Sequence, residues 1–157
     1  MASRERVKVE GLHELDVALG KLSKASGKAV LRRVGRMALE PMAKMAAQRA
    51  PDDPITGAPD LHRSIVISSK QKSGRQLRFA RSKSTVALYM GPDKGGYPQA
   101  IVQEFGTVHH AASPYMTPAW EAEKRHALEI IKDKLGEEIQ KTAKRVAARA
   151  AKKRIKV

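Results

Sequence analysis

Three aspartates near the middle of the chain are the residues best suited to metal chemistry. Asp52, Asp53 and Asp60 flank the dipeptide Thr56-Gly57, and clustered carboxylates can hold the divalent ion of a nuclease. An aspartate beside proline or glycine more often bonds its local backbone in a turn. Because the sequence lacks the further spaced acids and the lysine of a specific nuclease site, we interpret these aspartates as turn residues. A nuclease would instead cleave in a metal-dependent way and lose activity when they are replaced.

The histidines and a glycine-rich stretch are the other candidates for chemistry. No pair of histidines has the helical HExxH spacing of a zinc site. Neighbouring side chains in an extended segment point in opposite directions, which argues against a shared ion at the one adjacent pair. Residues 94–96, Lys-Gly-Gly, lack the pattern of a phosphate-binding loop. We therefore expect no enzyme, no metal and no cofactor at His13, His62, His109, His110 or His126.

The charge of the chain points to a polyanionic partner. Lys and Arg number 31 against 16 Asp and Glu, which leaves a net charge of +15. Residues 141–157 contain no acid, and aromatic side chains for base stacking are missing there, so a nucleic acid would be held through phosphates without sequence preference. The alternatives are an acidic surface on a neighbouring subunit or a solvated helix face. The candidate contact residues share one broad helical face: Lys141, Lys144, Arg145, Arg149, Lys152, Lys153 and Lys156.

The hydrophobic pattern predicts an α+β fold in one domain, residues 1–157. Leucines at spacings of three and four predict N-terminal helices within residues 11–50, with a kink or a new helix at Pro41. Alternating apolar residues predict strands at 61–69, 76–80 and 84–90, and hence a small antiparallel sheet of three to four strands. A short helix over 99–105 should end at Gly106. A long C-terminal helix should begin near Thr117, with 141–157 as a basic helical extension that projects from the domain.

Other classes of protein are excluded by composition. The sequence has no cysteine, which is compatible with a reducing cytoplasm and rules out disulfides and thiolate metal sites. Its first residues carry charges where a signal peptide needs an apolar block, and no apolar run approaches the roughly 18 residues of a membrane span. We therefore expect a soluble intracellular product with no membrane partner.

Several short motifs follow one another in a characteristic order along the chain. They are Ala50-Pro51, Thr56-Gly57, Leu61, Ser64-Ile65, Gly91-Pro92, Tyr97, Glu104-Phe105-Gly106-Thr107 and the segment 114–120, PYMTPAW. In this order they resemble the gene-ten-like tail-component family of HK-type lambdoid phages, which includes neck and tail-completion proteins. Two departures are an insertion carrying Pro54, Ala58 and Pro59, and Tyr115 where the family more often has phenylalanine.

The resemblance implies a structural protein of a long-tailed phage virion. Such a subunit forms a homo-oligomeric ring, six-fold to match the tail, at the junction between head and tail. Its partners would be the head-closure protein and the tail-terminator or tail-tube protein, with non-specific contact to packaged DNA as a further expectation. The alternative function is a non-specific nucleic-acid-binding protein that acts through its basic C-terminal helix.

Two sets of residues are expected to build and connect this subunit. The core where the sheet meets the last helix should contain Phe105, Tyr115, Met116 and Trp120. Exposed loops at 70–74 and 93–96 should contact other subunits. Glu104, bracketed by apolar residues, should either satisfy loop amides or meet a basic residue of the next subunit. The predicted contact residues are Lys70, Lys72, Asp93, Lys94 and Glu104.

Overall fold

The computed structural model describes residues 12–51, 61–69, 86–93 and 97–155 of the protein. These residues are mostly helical, with a small antiparallel sheet and a long C-terminal helix, as predicted. In chain order the elements are α1 (Leu12–Gly20), α2 (Lys24–Arg49), α3 (Leu61–Ser64), β1 (Ile65–Ser68), β2 (Tyr89–Pro92), α4 (Tyr97–Phe105) and α5 (Met116–Ile155).

Helices α2 and α5 form the main structural unit, and they run antiparallel. Near the start of α2, Arg33 pairs with Glu138 in the second half of α5. Near the end of α2, Ala46 shares a buried cluster with Ala119 at the start of α5. The pair therefore brings together two parts of the chain that lie far apart in sequence.

The α2–α5 interface is built largely from small residues. Ala38, Ala46 and Ala119 are at most 2% exposed, and short side chains allow two helix backbones to approach closely. Larger side chains fill the space on either side in two clusters. The first contains Met42, Leu61, Ala100 and Tyr115. The second contains Val30, Val34, Leu135 and Ile139, with leucines of α1 packed against it.

Helix α2 continues through Pro41, where a kink or a new helix was predicted. The prediction of a new helix there is wrong, because α2 is continuous from Lys24 to Arg49, with buried Ala38 and Met42 on both sides of the proline. Tertiary packing thus offsets the backbone hydrogen bond that proline cannot donate. Helix α2 begins at Lys24, where Ser23 is the N-cap and its side-chain oxygen accepts a hydrogen bond from the Ser26 amide.

The sheet of the described residues has two strands, not three to four. Strands β1 and β2 pair antiparallel, with Ile65 opposite Pro92 and Ser68 opposite Tyr89. The strand predicted over 61–69 begins as the helical turn α3, in which the Ser64 hydroxyl donates to the Leu61 carbonyl. The strand predicted over 84–90 starts only at Tyr89, and the one predicted over 76–80 lies outside the described residues.

Helix α5 continues beyond the residues that bury its first part. Its 40 residues extend about 60 Å at 1.5 Å per residue. Thr142 is its last buried residue within the described side chains, and residues 143–152 are all exposed. As expected for so long a helix, its distal part projects away from the rest of the described chain.

Candidate functional site

The carboxylate of Glu104 joins α4 to the start of α5. It accepts hydrogen bonds from the backbone amides of Tyr115, Met116 and Thr117, each at 2.9 Å. It also accepts a bond of 2.5 Å from the Thr117 hydroxyl. The first amides of an α-helix have no partner within the helix, so a carboxylate there satisfies them and matches the positive end of the helix dipole. Glu104 therefore caps α5 from another element.

This arrangement bears on the roles predicted for Glu104. The residue is 8% exposed, and both of its oxygens are used within the chain. Its predicted bonding to loop amides is confirmed, and a contact with the next subunit stays a prediction. Burial raises the pKa of Glu104, but the Thr117 hydroxyl and the three amides outweigh that effect and leave the pKa below its ordinary value of 4.5.

A tight loop carries the chain from α4 to α5. Helix α4 ends at Phe105, and Gly106 follows with φ of 71°, as predicted for a left-handed cap. Its amide donates to the Val102 carbonyl at 2.8 Å. Further along, the Ser113 amide donates to the Gln103 carbonyl at 2.7 Å, which returns the loop to α4. These bonds bring Glu104 within reach of the amides that it caps.

We expect that Gly106→Ala lowers the free energy of unfolding by about 1–3 kcal/mol. A Cβ at Gly106 would lie 2.9 Å from both the Ala112 nitrogen and the His110 oxygen, and the positive φ adds strain. Gly20→Ala is the matched control, because a Cβ there meets nothing within 4 Å. Chemical denaturation of both variants tests this prediction, and equal stabilities would contradict it.

Two residues predicted for the core lie largely outside it. Phe105 is 76% exposed and Trp120 is 50% exposed, so both predictions are wrong. The buried face of α4 carries Ala100 and Glu104, and Phe105 follows Glu104 by one residue, which turns it roughly 100° away. On α5 the buried position is Ala119, and Trp120 comes one residue later.

The other two predicted core residues are confirmed. Tyr115 is 1% exposed and is the largest fully buried side chain of the described residues. Met116 is partly buried and packs against the same cluster. Burial, together with the nearby negative charge of Glu104, raises the pKa of Tyr115 to about 12.

An apolar groove of about 530 Å³ lies between α2 and α5 and accounts for the position of Trp120. The indole lines one part of the groove, and Leu135 lines a part further along α5. Leu88, next to β2, also lines it and approaches α2 closely, since a Cβ at Gly35 would lie 2.5 Å from its Cδ1 atom. The groove was not predicted from the sequence.

The distal part of α5 presents the predicted basic face. Lys144, Arg145, Arg149 and Lys152 are exposed, and none of them forms an ion pair with another described residue. Lys141 differs, because it pairs with Glu137 at 3.7 Å and with Glu138 at 3.5 Å. The uncompensated positive charge therefore begins one turn later than predicted. The side chains of Lys153 and Lys156 lie outside the description.

The pair between Arg33 and Glu138 anchors the helix just before this projecting segment. Glu138 has a side chain only 9% exposed, and the hydrogen bond from Arg33 is the main reason that its pKa is lowered. Lys141 adds to the lowering. The charge cluster fixes the register of α5 against α2 at the point where α5 leaves the body.

The structure describes only one of the remaining predicted contact residues. Asp93 directly follows β2, and its amide donates to the Ser64 carbonyl at 2.8 Å, which links two of the sequence motifs. Lys70, Lys72 and Lys94 lie outside the described residues, as do Asp52, Asp53 and Asp60. Among the described residues, no group of three or more His, Asp or Glu side chains is placed to hold a metal ion.

Histidines of the described chain take part in local contacts. His110 Nε2 lies 3.3 Å from Gln103 Oε1 in the exposed loop after α4. His126 Nδ1 lies 2.9 Å from a Glu123 oxygen one turn earlier on α5. Both histidines are exposed, so these contacts lie on the surface of the described chain.

Two further findings concern membrane-spanning helices and similarity to known proteins. None of these helices has both the length and the apolar character needed to cross a bilayer. Compared with protein-family models, with curated proteins and with solved structures, the chain matches none of them.

Proposed function

We propose that this protein is a structural subunit of a long-tailed phage virion, and that copies of it form a ring at the junction of head and tail. The proposal rests on the apolar side chains and the helix segment that the described residues leave exposed to solvent. Phe105 is 76% exposed, Val108 is 96% exposed, and residues 143–152 of α5 extend free of the body. Exposed apolar side chains that form a contiguous patch are typical of interaction sites in soluble proteins.

The position of the sequence motifs supports the same function. The motifs EFGT and PYMTPAW of the family resemblance meet where Glu104 caps α5. The segments that carry the resemblance therefore build one rigid corner, and the exposed Phe105 lies on it. A rigid corner with an exposed aromatic residue suits a protein that acts by fitting neighbours and not by catalysis.

In the proposed role the subunit acts by forming a ring and presenting matching surfaces to its partners. Copies close into a six-fold ring, one side of which meets the head-closure protein while the other meets the tail terminator or tail tube. The loops at 70–74 and 93–96 are proposed to take part in these contacts, with Lys70, Lys72, Asp93 and Lys94 as the contributing residues. The protein is made in the host cytoplasm and ends in the virion.

Electron microscopy of assembled particles tests the proposal most directly. An antibody or tag on this chain should label the neck, and removing residues 143–157 should leave heads and tails unjoined. Both buried clusters lie before residue 143, so the shortened protein is expected to fold, and circular dichroism checks that point. Virions that lack this chain, or labelling confined to another part of the particle, would contradict the proposal.

A second function, non-specific nucleic-acid binding, is favoured by the exposed cations of distal α5. Four of them, Lys144, Arg145, Arg149 and Lys152, have no internal ion pair with a described residue and are free to approach phosphates. Each phosphate neutralised adds about 0.9 to the slope of log affinity against log salt. Binding of this kind is compatible with a ring around a DNA channel or with a separate DNA-binding protein.

We expect that changing these four cations together to glutamine flattens that slope by about 2–4 if DNA is their partner. All four side chains are exposed, so the fold should be unaffected. The matched control changes Lys21, Lys24, Arg32 and Arg36, which are exposed on α2 or on the turn before it. Titration of duplex DNA at several salt concentrations provides the measurement. An unchanged slope would show that the distal helix does not contact DNA.

A further inference from the structure

The groove between α2 and α5 combines a buried apolar floor with partly exposed apolar walls. Its volume of about 530 Å³ lies within the range of roughly 300–1,000 Å³ that is typical of ligand sites. Val34 and Ala38 of α2 line its floor and are each 2% exposed. On the α5 wall, Trp120 is 50% exposed and Leu128 is 37% exposed. Neighbouring exposed apolar side chains around a groove mark a binding surface, and tryptophan is enriched where binding energy is concentrated.

The groove has the length of a short helix. Along α5 it extends from Trp120 to Leu135, which is about 22 Å at 1.5 Å per residue. An α-helix of about 15 residues has the same length. An amphipathic helix carries apolar side chains at spacings of three and four on one face, and it can lay that face into an apolar groove. The shape of the groove therefore suits a helix of a partner protein.

Exposed cations border the groove on the α2 side. Successive residues of a helix are turned by roughly 100°, so exposure can be followed around α2. It rises from buried Ala38 to partly buried Leu39, both of which line the groove. Just beyond Leu39 on the helical projection lie Arg32 and Arg36, one turn apart and exposed. Neither arginine forms an ion pair with another described residue.

The α5 side of the groove is basic as well. Lys124 and Arg125 line it, and exposed Lys132 follows Leu128 by one turn on the same side of the helix. Lys124 pairs with Glu121, which offsets one of these charges. Lys132 has no ion pair within the described chain. Both walls of the groove thus have a positive rim above an apolar floor.

The charge of the two rims selects among the possible occupants. A second copy of the chain has a net charge of +15. Residues 70–85, which lead into the lining residue Val86, contain six Lys or Arg and no acid. Either occupant would bring cations towards cations, which costs free energy. A nucleic acid would match the charge but has no aliphatic side chains to cover the floor. A helix with acids on both edges of its apolar face matches both features.

We propose that the groove between α2 and α5 binds an acidic amphipathic helix of a partner protein. The apolar face of that helix packs on Trp120 and Leu128, and its acids meet Arg32, Arg36 and Lys132. The bound helix becomes a third helix beside α2 and α5. The inference goes beyond the proposed function and does not depend on it, since the groove is formed within one copy of the chain.

Fluorescence of Trp120 tests the proposal, because the chain has no other tryptophan and this one lines the groove. The probe is a synthetic peptide of about 15 residues, with leucines on one helical face and glutamates on the other. Added to the full chain, it should shift the tryptophan emission to shorter wavelength, because docking removes the indole from water. A peptide of the same composition with its leucines spread around the helix should cause no shift.

Charge reversal tests the contact at the rim. Arg32→Glu combined with Arg36→Glu should weaken peptide binding about tenfold, because two attractive contacts become repulsive. Lys21→Glu combined with Lys24→Glu is the matched control and should leave binding unchanged. Lys24 precedes Leu31, the first lining residue of α2, by about 10 Å, which exceeds the screening length of about 8 Å at physiological salt. The four natural side chains are exposed, so both variants should fold, and circular dichroism checks this.

Several outcomes would overturn the inference. One is an unchanged emission at peptide concentrations up to about 1 mM. Another is equal binding of the two peptides, or equal weakening in the two charge-reversed proteins. An emission typical of buried indole in the free protein would show that the chain covers its own groove, and one that develops only at high protein concentration would show that a second copy covers it. If the peptide binds as expected but virions lack the protein, the inference stands and the proposed function fails.

Discussion

Replacing Tyr115 with alanine is expected to lower the free energy of unfolding by about 3–5 kcal/mol, the range for buried aromatic residues. Tyr115 is 1% exposed and packs in the cluster that joins α2, α3, α4 and α5. Its removal would leave a cavity where four elements meet. Because small domains have a stability of only about 5–15 kcal/mol, such a loss would bring the protein close to unfolding at room temperature.

Trp120→Ala is the matched comparison for this experiment. Trp120 has a larger side chain but is half exposed, so its truncation removes less buried surface and should cost clearly less than Tyr115→Ala. Urea denaturation of both variants, with equal slopes against denaturant, gives the two values. A larger loss for Trp120→Ala would show that the groove between α2 and α5 is covered in solution and that the tryptophan belongs to a core after all.

Glu104→Ala is expected to lower the free energy of unfolding by about 2–4 kcal/mol, because it removes a charged helix cap and leaves its donors without a partner. Three amides and one hydroxyl at the start of α5 would lose their acceptor. The first turn of α5 should fray, and amide exchange at Met116 and Thr117 should become faster. Glu121→Ala is the control, since Glu121 lies on the same helix but is exposed.

The contribution of Glu104 should also depend on pH. Its folded-state pKa lies below the ordinary value of 4.5, so its carboxylate stabilises the folded protein fully above that value. The stabilisation is lost as the pH falls through the lower folded-state pKa. The difference in stability between the natural protein and Glu104→Ala should therefore be constant near neutral pH and shrink below about pH 4.5. Glu138, whose pKa is also lowered, is present in both proteins and cancels. A difference that stays constant down to pH 3 would contradict the capping role.

The helices could be predicted well because their signals are local. Gly106 marks the end of α4 through its own backbone freedom, and Pro118 favours a helix start at the place where α5 begins. Pro41 gave the wrong prediction because the outcome there depends on packing between α2 and α5. Such packing joins distant parts of the chain and leaves no local signal at the proline.

At the candidate site, too, the buried residues depend on packing between distant parts of the chain and were predicted less well. Residue size suggested Phe105 and Trp120 as core residues, yet the close approach of helices selects alanine at positions 38, 46 and 119. A one-residue shift along a helix moves a side chain by roughly 100°, which is enough to take it from core to surface. Glu104 was identified from its apolar neighbours, but its three amide partners could be known only from the structure.

The antiparallel pairing of α2 with α5 has a consequence during protein synthesis. Arg33 can form its ion pair only after the ribosome has synthesised Glu138, which follows it by 105 residues. At about 5–20 residues per second, a ribosome needs roughly 5–20 s to supply that partner. Throughout this interval the nascent chain carries Val30 and Val34 without the Leu135 and Ile139 side chains that complete their buried cluster. Ribosomes stalled before α5 should therefore display a chaperone-binding segment that the released protein has buried.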